Sequence, residues 1–142
     1  MSGASTAVRC GGTRRVQRWE AKGRSVGLAR DELRSALADW GLTEIEEPAV
    51  LVLSELVTNA IKHPQVADRH IETSFCHGAE GVRLAVDDAD ERHLPRLRAP
   101  GGSGGRGLIL VEALSDRWGV RARSGVGKSV WAVITMPGGR WL

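Results

Sequence analysis

Glu55-Leu-Val-Thr-Asn59-Ala-Ile-Lys62-His63 is the stretch on which the reading of this chain turns. Ile45, Ala49, Val52, Leu56 and Ala60 recur at helical spacing through it, and at about 100° per residue Glu55 and Asn59 fall just beside that apolar stripe. They border a core instead of facing bulk water. A carboxylate and a carboxamide one turn apart at the rim of a pocket divide labour: the amide oxygen can bind a hard cation, and the carboxylate can accept a proton from a nucleophile. The plain alternative is a solvated helix edge carrying a stabilising pair. The helix is predicted to begin near Thr43, with Thr43 and Glu46 as a capping box and Pro48 early enough to be tolerated, and to end at Pro64.

Upstream, Val26, Ala29, Leu33, Leu37 and Trp40 predict another amphipathic helix, with Ser25 as cap and Gly41 as stop. Arg14 to Ala21 reads as a short edge strand, and residues 1–13 as a disordered leader ahead of one domain spanning 14–142. Downstream, Ile71, Thr73 and Phe75 share a strand face, and Val82, Leu84 and Val86 share the next across a polar turn at Gly78 to Gly81. Ala89 to Gly104 is rich in Pro, Gly and Arg without period, the composition of a lid. Leu108 to Leu114, opened by Gly107, predicts a buried helix, and Trp118 to Arg123 with Ser129 to Met136 a closing hairpin. Helices and antiparallel strands arranged in this order make an α+β fold: a two-layer α/β sandwich whose mostly antiparallel sheet is covered on one face by helices.

At 142 residues the chain is expected to form a single core, one domain and not a multidomain enzyme. It contains no apolar run of the roughly 18 residues a membrane span requires and no secretory signal, so a soluble, cytoplasmic protein without a membrane partner is expected. Cys10 and Cys76 lie far apart in sequence and are expected as free thiols. The 20 basic residues are opposed by 17 acidic ones scattered among them, which does not indicate nucleic-acid binding despite the net charge of +3.

Two phosphate-loop lookalikes are set aside. Ala122 to Ser129 matches a loose P-loop string, but Val130 to Thr135 alternate like a strand where a P-loop needs a helix. Gly102-x-Gly104-x-x-Gly107 has no strand leading into it and no βαβ unit around it. His63, His70, His77 and His93 show no pair at the one-turn spacing of a zinc helix. Asp88 has a sharper assignment: it continues the alternation of Val82, Leu84 and Val86, so it is predicted to lie under the helices while Asp87 points the other way. A carboxylate there can accept a hydrogen bond from an exocyclic amine, a donor that adenine carries and guanine lacks at the six-position.

Glu55-x-x-x-Asn59-Ala-x-x-His63 resembles the N-box of the ATP-binding fold shared by histidine kinases, gyrase-type ATPases and heat-shock chaperones. Ser54-Glu-Leu-Val-Thr-Asn-Ala is most similar to the bacterial anti-sigma-factor serine kinases. Val86-Asp-Asp88 stands where the family places its adenine-binding aspartate, Gly105-Arg106-Gly107-Leu108 resembles its second glycine box, and Gly127-Lys-Ser-Val-Trp131 its final hairpin. The resemblance runs from about Trp19 to Met136. It implies an ATP-binding regulator that binds a sigma factor and phosphorylates a serine on an anti-sigma-factor antagonist, and it admits a homodimer. Glu55 would then be catalytic, Asn59 would hold Mg²⁺, Asp88 would read adenine, Gly105 and Gly107 would cradle phosphate beside Arg106 and Leu108, and His63 and Ser129 would border the nucleotide. Asp88-Ala-Asp-Glu-Arg92 lacks the spaced glycines that usually follow the family's aspartate. That departure sustains an alternative, a non-catalytic module of the same fold that sequesters a partner with weak or no nucleotide binding.

Overall fold

The computed structural model describes residues 10, 14–62, 69–78, 80–88, 106–122 and 127–137. In chain order the elements are β1 (Arg15–Glu20), α1 (Arg24–Trp40), α2 (Glu46–Ile61), β2 (His70–His77), β3 (Gly81–Asp88), α3 (Arg106–Leu114), β4 (Arg117–Ala122) and β5 (Lys128–Thr135). The strands form one antiparallel sheet in the order β1-β2-β3-β5-β4. This is the α+β sandwich expected, an open sheet with three α-helices among the described residues.

Register decides which side chains meet the helices. Ile71 pairs with Asp88, Thr73 with Val86 and Phe75 with Leu84 across β2 and β3. Val82 pairs with Ile134, Leu84 with Ala132, Val86 with Val130 and Asp88 with Lys128 across β3 and β5. The apolar members of this face form the core with Leu33 and Leu37 of α1, Val52, Leu53, Leu56 and Val57 of α2, and Val111 of α3. Because strand side chains alternate with period two, the residues between them lie on the sheet's other face. Trp19 closes the β1 edge, its indole Nε1 donating to Thr73 Oγ1 at 2.9 Å.

Gly41 ends α1 as its position suggests. Its φ of 72° is left-handed, and the reversal is closed by Gly41 N donating to Ala38 O and Leu42 N to Leu37 O, the paired bonds of a Schellman stop. Two expected caps are corrected. Ser25 lies inside α1, where its hydroxyl donates to the Glu20 carbonyl at 2.6 Å and ties the helix to β1, and Gly23 holds the cap position. The Thr43–Glu46 capping box does not form. Thr43–Ile45 winds instead as a 3₁₀ turn with Ile45 N bonded to Leu42 O, so backbone geometry does that work, and Glu46 and Glu47 face the amino end of the helix dipole.

The cysteines require a further correction. Cys10 and Cys76, expected as separate thiols, are joined as a disulfide with their Cα atoms 5.3 Å apart. The 66 residues between them in sequence are not a distance in space. β1 pairs with β2 so that Arg15 lies opposite Phe75, which returns the chain just before β1 to the neighbourhood of Cys76. Residues 89–104, expected as a lid, and the rest of the expected leader lie outside the described residues.

Candidate functional site

α2 presents the motif as the periodicity requires. Val52, Leu53, Leu56, Val57 and Ala60 are buried, while Glu55 and Asn59 are half-buried along the edge of that face. Ser54 is turned back on its own helix, donating from Oγ to Val50 O at 2.8 Å. The helix ends at Ile61, with Lys62 N reaching Asn59 O at 3.4 Å.

Asp88 lies where pleat reasoning puts it, on the helix-covered face at the end of β3 and only 3% exposed. Two cations reach it. Lys128 Nζ is 3.4 Å from Oδ2, across the register pair that opens β5, and Arg69 Nη1 is 3.9 Å from Oδ1. Arg69 also donates through Nη2 to the carbonyl of Ala60, the residue after Asn59. One guanidinium therefore spans from the last turn of α2 to the Asp88 carboxylate, bringing the two motif regions into one neighbourhood. The Asp88 carboxylate thus holds an ammonium on one oxygen and a guanidinium on the other. Each of its oxygens has two lone pairs, so ion pairing is compatible with accepting a further bond from an amine.

The remaining candidates divide. Leu108 is buried in the first turns of α3, which packs on α2; Arg106 and Gly107 open that helix. Ser129 is also buried, but it pairs with Asp87 and shares its alternation, on the sheet face opposite Asp88. His63 and Gly105 lie outside the described residues. Among the described residues no group of three His, Cys, Asp or Glu side chains is placed to hold a metal ion. The Asn59 carboxamide is a single hard oxygen donor of the type Mg²⁺ takes together with phosphate oxygens and water, so it fits the cation of a metal nucleotide, not a cage built wholly from protein.

Lys128 and Arg69 were not among the candidates. Lys128 had a readable signal, since it continues the inward alternation of Val130, Ala132 and Ile134 and must put its charge on the covered face. Arg69 had none: it precedes β2 in a segment without period. A similar link elsewhere has Asp116 Oδ2 accepting from both the backbone N and the Oγ1 of Thr135, at 2.8 and 2.6 Å, fixing the α3–β4 junction to β5.

Comparison with known proteins agrees with this frame. The chain matches the Histidine kinase-like ATPase domain over residues 19–134. Among solved structures it is similar to the RsbU and RsbW domains of Rv1364c from Mycobacterium tuberculosis, with a TM-score of 0.62 at 20% identity, covering 87% of this chain and 32% of that one. It is also similar to the histidine kinase domain of a blue-light activated histidine kinase from Erythrobacter litoralis EL346, with a TM-score of 0.53 at 21% identity over 82% of this chain and 63% of that one. The chain thus spans under two thirds of the length of either structure. No curated protein matches it. Because that match spans most of the chain, this chain belongs to the histidine kinase-like ATPase domain family.

Proposed function

We propose that the chain is an ATP-binding regulatory protein of the partner-switching kind, resembling the bacterial anti-sigma factors that phosphorylate a serine on an antagonist protein. The observation that carries the nucleotide half is the Arg69 bridge, which joins the Asn59 turn of α2 to the buried Asp88 carboxylate. The regulatory half is supported by the likeness to a structure containing an RsbW domain, and by the Ser54-Glu-Leu-Val-Thr-Asn-Ala string. Among the described residues no helix is long and apolar enough to cross a membrane.

In this reading Asp88 accepts a hydrogen bond from the adenine amine, and Gly105 and Gly107 let backbone amides at the start of α3 approach phosphate. Asn59 holds Mg²⁺, which would supply charge neutralisation to the phosphates. Glu55 orients the acceptor serine and takes its proton as the serine oxygen bonds to the γ-phosphorus and ADP leaves. Sigma factor and antagonist are the partners of this cycle. A second reading is favoured by one observation: Asp88 is already engaged by Lys128 and Arg69, as it would be in a sequestering module that has given up nucleotide.

Two substitutions test the scheme. Glu55→Gln keeps size and packing but removes the proton acceptor, so phosphate transfer to an antagonist should fall by about 10²–10⁴-fold with little change in ATP affinity. Asn59→Ala should weaken Mg-ATP binding itself, because it deletes an oxygen donor to the cation. A parent that binds ATP yet transfers nothing, with Glu55→Gln indistinguishable from it in partner binding, makes the sequestering module the better account.

A further inference from the structure

The sheet face turned away from the helices carries a charge pattern that the nucleotide reading does not use. Arg83 stacks over Trp131, its guanidinium carbon 5.3 Å from the ring centroid. Trp131 lies close over Gly119 of the edge strand: a Cβ there would sit 2.9 Å from the indole Cζ2. Near this stack are the exposed Arg117 and Arg121 on β4, and farther across the same face lie Arg14, just before β1, and Arg18 on β1 opposite Glu72. Arg14 and Arg121 are near enough for their charges, after burial itself, to push the Arg83 guanidinium below its ordinary range, while Asp87 pulls the other way. Glu20, Glu72 and Asp87 share this face in the register, three strand carboxylates among the described residues against five arginines. Cys10, bonded to Cys76 opposite Arg83 in the register, touches the same face from one side. Val16 adds an apolar spot, 51% exposed, at the β1 edge.

Crowding arginines raises the free energy of the isolated protein, and an aromatic ring under one of them pre-orients its planar head for a carboxylate. We propose that this face docks an acidic segment of a partner protein, whose carboxylates meet Arg83 and Arg121 and whose apolar side chains meet Trp131. Charge decides against the other occupants. A second copy docking through the same face about a two-fold axis would bring arginines against arginines. A nucleic acid would run its phosphates past Glu72 and Asp87, whereas a protein segment can place a cation or a neutral residue there. The inference stands apart from the nucleotide site, because it uses the opposite face and none of its residues.

The test is fluorescence anisotropy with a short fluorescein-labelled peptide of glutamates and leucines. The peptide should bind the parent at low ionic strength and weaken by about tenfold or more near 0.3 M salt. Arg83→Glu with Arg121→Glu should weaken binding by about tenfold or more, and the exposed single change Arg121→Glu by about threefold, which covers the case in which the double variant fails to fold. Arg24→Glu with Arg34→Glu, the same charge change on α1, should leave it within about twofold. The proposal is overturned by no binding to the parent, by equal loss in the two double variants, or by tighter binding of an oligothymidine of matched charge. It is equally overturned if the parent forms a dimer that Arg121→Glu dissolves.

Discussion

Asp87 and Asp88 are neighbours in sequence and lie on opposite faces of β3. Asp88 is 3% exposed beneath the helices, flanked by Lys128 and Arg69; Asp87 is half-buried on the face that carries Arg83 and Trp131. One step of the pleat separates two electrostatic regimes. Under the helices, charge survives only where it is matched closely, because desolvation makes an unmatched ion expensive. On the other face the charged groups are more open to water, and five arginines gather with three carboxylates among them. The sheet thus separates a fixed polar site from an adaptable docking surface.

That division can be broken by paired substitutions. Phe75→Ala on the covered face, where the ring is 1% exposed, should cost about 3–5 kcal/mol in urea unfolding, whereas Val16→Ala on the open face should stay within about 0.5 kcal/mol. Comparable costs would mean that both faces are packed alike. Asp88→Ala should cost about 3 kcal/mol because it leaves buried cations facing an apolar gap, and Asp87→Ala less than about 1 kcal/mol by the same measurement. Gly119→Ala should cost about 1–2 kcal/mol and alter Trp131 fluorescence, since the new methyl must displace the ring. The smallest expected effect lies at the β1–α1 junction. The Arg24 hydrogen bond, then the charge of Lys22, holds the Glu20 carboxyl below its ordinary 4.5. A depressed carboxyl contributes stability above its unfolded value and loses it as pH falls through the folded one, so any contribution begins to fall below about pH 4.5 and is gone below the folded value. Glu20 is exposed and salt should erase the effect; an NMR titration should show its midpoint rising in Arg24→Ala.

Much of this was legible because alternation and helical spacing are local. The β2–β3 and β4–β5 hairpins follow from alternation and their turn residues, and the inward direction of Asp88 and the edge position of Glu55 and Asn59 from period. What was hidden is non-local. Arg69 joins Ala60 to Asp88 only because the end of α2 comes beside the strand pair that sets Ile71 opposite Asp88, and Cys10 meets Cys76 only because β1 folds back on β2. Helix starts were misread for another reason. Ser25 and Thr43 have the chemistry of caps, but tertiary contacts gave Ser25 to the Glu20 carbonyl, and a 3₁₀ turn displaced Thr43. The clustering of arginines around Trp131 was also out of reach, since β4 and β1 lie at opposite edges of the sheet.

The central claim is that the covered face holds an adenine nucleotide through Asp88. Isothermal titration of the intact chain with Mg-ATP and Mg-GTP, repeated on Asp88→Asn, tests it most directly. The account predicts that ATP binds, that GTP binds at least about tenfold more weakly, and that the isosteric variant loses most of the ATP affinity, because an amide exchanges one acceptor oxygen for a donor. Equal affinities for the two nucleotides, or an Asp88→Asn protein that binds ATP like the parent, would contradict it.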